Sequence, residues 1–168
     1  MPVYSPTYAD APEREATWYA TDPPQPSGFT PPPLLMANGG SWPLIQSRAP
    51  KSIQQQNAIY IVRDKVRELR IALGEKEWDH QLAAVLFWPL DSADAETDQQ
   101  LLDVEIAKIM KRIRGPWLDK THGGAFASVG EDTAEIQVDY GDVIVQIQNG
   151  GPLEVHVRYV ATDTFPDN

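Results

Sequence analysis

Chemistry in this chain would have to come from few residues. The histidines stand at 80, 122 and 156, and there is no cysteine. Thiolate metal sites, disulfides and a cysteine nucleophile are therefore excluded. Asp79-His80 offers half of an acid–base pair, but no nucleophile or third member accompanies it. Asp119 and His122 flank the turn before Gly123-Gly124, where an aspartate cap and two glycines account for both positions without any reaction. Ser128 lies in Ala-Ser-Val rather than G-x-S-x-G, so it is no nucleophile elbow. The glycine pair joins a helix pattern to a strand pattern and lacks the Lys-Ser/Thr of a phosphate loop. The same order of elements excludes the dinucleotide fingerprint. The histidines are too far apart in sequence for the short ligand spacing of a zinc site. The expectation is no catalytic, cofactor or metal site. An enzyme or small-ligand domain would require Asp79, His80 and His122 to converge in one pocket.

Those residues must be positioned by a small set of elements. Apolar residues at Ile59, Val62, Val66, Leu69 and Leu73 step by three and four, which predicts a helix from about Ser52, with Ser52-Ile53-Gln54-Gln55 as a capping box and Gly74 as its stop. Leu82 to Trp88 reads as a short buried strand ended by Pro89. A second helix follows, capped by Thr97-Asp98-Gln99-Gln100, with an inward stripe of Leu102, Ile106, Ile109 and Ile113 widened by Leu101 and Met110. Its acidic residues gather at the start and Lys108, Lys111, Arg112 and Arg114 at the end, as the helix dipole favours. The same basic cluster could instead dock a partner or contact phosphate. Gly115-Pro116 stops the helix, Trp117-Leu118 forms an apolar clasp, and Ala125 to Val129 is a short strand. Alternation then predicts strands over 134–140, 143–148 and 153–160, with Asn149-Gly150-Gly151 as a hairpin turn. His156 falls on the polar face of the last, as a plain cross-strand partner.

The first 51 residues read differently. Eleven of the 15 prolines lie in the first 50 positions, which rules out a long helix or a central strand there. Pro31-Pro32-Pro33 suits polyproline II, and only Ala9 to Ala20 has room for a helical turn or two. Trp18, Tyr19 and Trp42 are among several large side chains spaced along this arm. Such anchors suit an extended segment lying on its own domain or on a neighbouring subunit, disorder being the remaining reading. The fold class expected is α+β, an antiparallel sheet covered on one face by two helices, with residues 1–51 as an extended Pro-rich arm and 52–168 as the domain. Removing the arm should then weaken assembly and leave melting nearly unchanged; a large loss of melting temperature would place the arm in the core.

With 14 basic and 24 acidic residues the net charge is -10, the reverse of the basic footprint of a sequence-reading nucleic-acid binder. An acidic wall would still let nucleic acid pass without sticking. No apolar run is long enough for a membrane span. The first residues lack the basic start and apolar core of a secretory signal, so synthesis and assembly in the cytoplasm are expected.

A capped helix, a short strand, a second helix ending in Arg112-x-Arg114-Gly115-Pro116, the Thr121-His122-Gly123-Gly124 turn and then strands together resemble the tail terminator (tail-completion) proteins of long-tailed bacteriophages. The likeness covers roughly residues 57 to 165 and centres on Arg112 to Glu131. It implies a structural, non-enzymatic virion protein of the tail or neck, forming a hexameric ring on the head-proximal end of the tail tube. Such a ring ends tube polymerisation and meets the tail tube protein and the head connector, while DNA passes through without sequence-specific binding. It implies no cofactor and no membrane contact. The interface residues expected are Trp18, Trp42, Arg112, Arg114 and Trp117. A head–tail connector or another tail component is the neighbouring alternative, and a free module that recruits a partner through the arm is a third class.

Overall fold

Residues 58–61 decide the architecture. Ala58, Ile59, Tyr60 and Ile61 are all fully buried, which a strand achieves when both of its faces are covered and a one-sided helix does not. The protein, seen in a computed structural model that describes residues 10–20, 41–52, 56–91, 93–114, 120–130 and 135–166, is of mixed α/β class: a curled sheet with three helices. In chain order the elements are α1 (Ala11–Ala20), β1 (Leu44–Ser47), β2 (Ala58–Ala72), β3 (Glu75–Trp88), α2 (Ala95–Ile113), β4 (Ser128–Val129), β5 (Gln137–Asp139), α3 (Val143–Gln148) and β6 (Leu153–Pro166).

The helix expected over 52–73 is therefore a strand. Its three-and-four spacing does not mark one face: Ile59 and Val66 lie across from Leu86 and His80 on the main-core side of β3, whereas Val62 and Leu69 lie across from Ala83 and Glu77 on the other side, and Leu73 is in the turn. Isoleucine, tyrosine and valine at 59–62 favour the pleated conformation. Gly74, at φ 86°, is the second residue of the two-residue turn between β2 and β3 rather than a helix stop. Within the expected capping box, positions 53–55 lie outside the described residues.

The sheet order is β1-β2-β3-β6-β4, with β5 also paired to β6. β1 runs parallel to β2; the other pairings are antiparallel. β3 is the strand expected at 82–88, extended back to Glu75, and β6 extends the expected 153–160 strand on to Pro166. Leu82, Ala84, Leu86 and Trp88 share a face with Val155, Val157, Tyr159 and Ala161, and that face meets the buried sides of α1 and α2 in the main core. A smaller cluster of Tyr60, Val85 and Phe87 occupies the opposite face.

The main face is covered not by the two helices expected but by α1, which lies within the first 51 residues, and α2, with Val143 and Ile147 of α3 packed against the same cluster. Ala11, Trp18, Tyr19 and Trp42 belong to the same buried cluster as the sheet, so the core crosses the boundary expected at residue 51. Pro31 to Pro33 lie outside the described residues.

α2 holds its expected stripe, with Leu102, Ile106, Ile109 and Ile113 all buried. Its cap is earlier than expected: the Asp94 carboxylate accepts hydrogen bonds from the Glu96 N–H at 3.0 Å and the Thr97 hydroxyl at 3.1 Å. The strand expected at 143–148 is the short helix α3. Asp142 caps it by accepting the Val145 N–H at 3.1 Å. The Gln146 side chain then reaches the start of β6, where its Oε1 accepts the Glu154 N–H at 2.9 Å. A side-chain amide thus closes the edge that a further strand would have occupied.

Candidate functional site

α1 places Arg14, Glu15, Trp18 and Tyr19 three and four residues apart, and so on adjoining sides of a helix that faces the core. They complete two buried polar clusters. In the first, the Glu15 carboxylate lies 2.9 Å from His122 Nδ1 and accepts the Tyr159 hydroxyl at 2.6 Å. The Tyr159 and Tyr19 hydroxyl oxygens lie 3.2 Å apart, within hydrogen-bond distance. His122 Nε2 lies 2.9 Å from the Ile113 carbonyl, which can only accept, so Nε2 carries hydrogen and one further proton sits between Nδ1 and Glu15. The Trp18 indole stacks on the imidazole at 3.5 Å between centroids, and the Arg112 guanidinium lies over the other side of this group, 4.3 Å from the Trp18 ring. Arg112 also donates to the Trp18 carbonyl at 2.5 Å.

Electrostatics follow from enclosure. Burial, and then the adjacent Glu15 carboxylate, hold the Tyr19 and Tyr159 hydroxyls far above the ordinary phenol range. Glu15 and Tyr19 have no solvent exposure and His122 and Tyr159 have 2% or less. The cluster fastens α1 to the end of α2, to the glycine turn and to β6.

In the second cluster Arg14 makes a two-pronged contact with Asp163, at 3.0 Å and 2.7 Å, and donates to the Ala125 carbonyl. His80 Nε2 lies 2.9 Å from the same carboxylate. The Arg14 guanidinium covers the Phe126 ring at 4.4 Å. Asp163 was findable in the sequence: continuing the alternation Val155, Val157, Tyr159, Ala161 by one step puts it on the inward face. Glu15 had no such signal, because nothing in a short helix between prolines says which partner it meets.

The histidines do not converge. His80 and His122 belong to separate clusters, and Asp79 points to the opposite face of β3, where it accepts from Arg67 at 2.7 Å and from Thr162 at 3.0 Å. His156 sits on the outer face of β6, 2.7 Å from Glu154 and 3.2 Å from Arg158.

Of the expected interface residues, three are internal. Trp18 packs on His122, and Arg112 is spent on Trp18. Trp42 is fully buried against Trp88, its indole N–H donating to Glu105 at 3.2 Å. Arg114, the C-cap of α2, is exposed. Trp117 lies outside the described residues. Sequence reasoning missed the exposed apolar residues: Ile71 and Leu73 at the tip of the β2–β3 hairpin, Leu101 and Val104 on α2, and Tyr140, Ile144 and Val145 around α3.

The described residues line at least two hollows. One of about 170 Å³ lies between α2, α3 and β6, where the Tyr140 hydroxyl donates to Asp103 at 2.8 Å and is pushed up to about 12 by partial burial and that carboxylate. The other, about 260 Å³, is a shallow trough along Gln81, Gln137 and Arg158. Beside it Asp139 is held below the usual carboxylate range by the Gly141 N–H and by Arg158. Among the described residues no group of three or more His, Asp or Glu side chains could hold a metal ion, and no helix is long and apolar enough to cross a membrane. No protein-family model matches the chain, and comparison with curated proteins and with solved structures found no similar protein.

Proposed function

We propose that the chain is a structural subunit of a phage virion, a tail terminator that closes into a hexameric ring on the head-proximal end of the tail tube. The ring ends tube growth and joins the tail to the head connector, and DNA passes through its channel. The observation that carries this reading is where the apolar surface lies. Leu73 is fully exposed at the end of a long hairpin, and Ile144 is 69% exposed on α3, away from the buried polar clusters. Contiguous exposed apolar patches mark protein–protein contact surfaces, and Tyr140, Ile144 and Val145 are exposed within one short stretch around α3.

Since β2 replaces the first expected helix, the likeness to tail terminators rests on α2 with its Arg112-x-Arg114 end, the Thr121-His122-Gly123-Gly124 turn and the strands after it. The net charge of -10 suits a channel that must not hold DNA. Closed rings in electron micrographs of the purified protein, and rings capping tubes when tail tube protein is added, are the expected result. A chain that stays monomeric at every concentration and leaves tube growth unchanged overturns the proposal.

A further inference from the structure

The turn that joins α3 to β6 begins Asn149-Gly150-Gly151, and both Asn149 and Gly150 are exposed. Asn149 is the C-cap of α3. Gly150, at φ 83°, has no side chain to shield its nitrogen, and the space one would take is open. An asparagine followed by glycine holds both partners of an intramolecular reaction on neighbouring residues: a side-chain amide carbon and a main-chain nitrogen that can reach it. Attack by the Gly150 nitrogen on that carbon forms a C–N bond and expels ammonia, which takes away the proton the nitrogen loses. Water then opens the cyclic imide at either carbonyl. One opening gives aspartate; the other gives iso-aspartate, whose main chain is longer by a methylene group. Water is the only co-reactant.

The folded turn opposes the first step. The Gly150 N–H donates to the Ile147 carbonyl at 3.0 Å, and the Gly151 N–H donates to the Gln146 carbonyl at 2.8 Å. A nitrogen whose proton is held in this way cannot attack, so the turn must open first. The unit that opens is small. α3 has six residues, none of them fully buried, and such segments open locally at low free-energy cost.

We infer that Asn149 is a site of spontaneous deamidation in the folded chain, gated by opening of the turn at Gly150. The product unlatches α3. Iso-aspartate lengthens the backbone between residues 149 and 150, and so displaces the two hydrogen bonds that span it. Either product puts a carboxylate at the C-terminal end of α3, where the helix dipole disfavours it. The surrounding stretch from Thr121 to Val157 has six acidic residues and no lysine or arginine to offset the new charge. Gln146 connects this turn to β6, because its carbonyl accepts the Gly151 N–H and its side chain accepts the Glu154 N–H at 2.9 Å. With the turn displaced, Gln146 loses the first of these anchors.

The test holds the full chain at mildly alkaline pH, below the range in which tyrosines ionise, beside the same chain in denaturant. Peptide mapping by mass spectrometry reads conversion of amide to acid at each asparagine, and enzymatic methylation of iso-aspartate reads the lengthened product. Asn149 should convert in the folded chain, slower than in denaturant by the factor that hydrogen exchange gives for protection of the Gly150 N–H. Asn149→Gln, whose longer side chain disfavours the ring, should suppress conversion there without altering the melt. In aged wild type the amides of α3 and of Glu154 should exchange several-fold faster. In Asn149→Asp, which carries the charge without the longer backbone, the increase should be smaller. A folded chain that stays unconverted at Asn149 while the denatured chain converts overturns the inference. So does conversion confined to Asn38-Gly39, the other Asn-Gly pair, which lies outside the described residues. Conversion at Asn149 with unchanged exchange at Glu154 upholds the site and overturns the unlatching.

Discussion

His122 is held in a backbone conformation that is uncommon for any residue but glycine. Its φ of 50° is left-handed, and it begins a run in which Gly123 and Gly124 are also left-handed. Only the glycines adopt that geometry without steric cost; for a histidine the cost is about 1–2 kcal/mol. The Glu15 carboxylate, the Ile113 carbonyl and the Trp18 stack offset it together. Removing one member leaves the others buried and unmatched, a change that typically costs about 3–5 kcal/mol for a buried charged pair. His122→Ala and Glu15→Ala should each lower the unfolding free energy in denaturant by that order. The double variant should lose clearly less than the sum, with a coupling of at least about 1 kcal/mol. Additive losses would show that the two side chains act independently. The same cluster sets alkaline behaviour. Tyr19 and Tyr159 keep their protons in the folded chain to higher pH than in the unfolded chain. Stability from these groups is thus fully present below about pH 10 and falls as pH rises beyond it. Tyrosinate absorbance and far-ultraviolet circular dichroism should show these two residues ionising only as the fold is lost, whereas an early, non-cooperative release of their protons would contradict their enclosure.

At the scale of elements, α1 is the part whose role changed most between sequence and structure. Its buried residues lie in the sheet's own core, and Arg14 and Glu15 are the partners of Asp163 and His122. Deleting residues 1–20 should therefore abolish cooperative unfolding or render the chain insoluble. A truncated protein with an unchanged melting temperature would restore the picture of a detachable arm. Why some elements were legible and others not is a matter of period. α2 was readable because its stripe is uninterrupted and its charges follow the dipole. β6 was readable because it buries a face at every second residue, and β3 because Leu82 to Trp88 is a short unbroken apolar run, buried on both faces. β2 was not, because its apolar residues fall on both faces, Ile59 and Val66 on one and Val62 and Leu69 on the other, and their spacing happens to match a helix. α3 was not, because Val143 to Gln148 alternates like a strand, and a tertiary contact, the Gln146 amide on Glu154, decides against one. Of the surfaces, Arg114 was placed where a partner could reach it. The hairpin tip was invisible in the sequence, since Leu73 looked like the inward end of a helix and instead is the most exposed apolar residue described.

For the whole molecule, assembly sets two electrostatic effects against each other. Each copy brings a net charge of -10 to its neighbours. That repulsion is long-range, reaching about 30 Å at 0.01 M salt and only about 10 Å at 0.1 M. The opposing attraction in the proposed ring comes from burying exposed apolar side chains such as Leu73 and Ile144, and it acts only at contact distance. Raising salt from about 0.01 to 0.1 M should remove most of the repulsion first and shift sedimentation toward the assembled form. Beyond that, screening has little left to remove, and burial of the exposed apolar side chains gains rather than loses from salts that strengthen it. The expected curve is a rise followed by a plateau. Assembly that weakens steadily from the lowest salt upward would mean that charge pairs, not the exposed leucine and isoleucines, hold the subunits together.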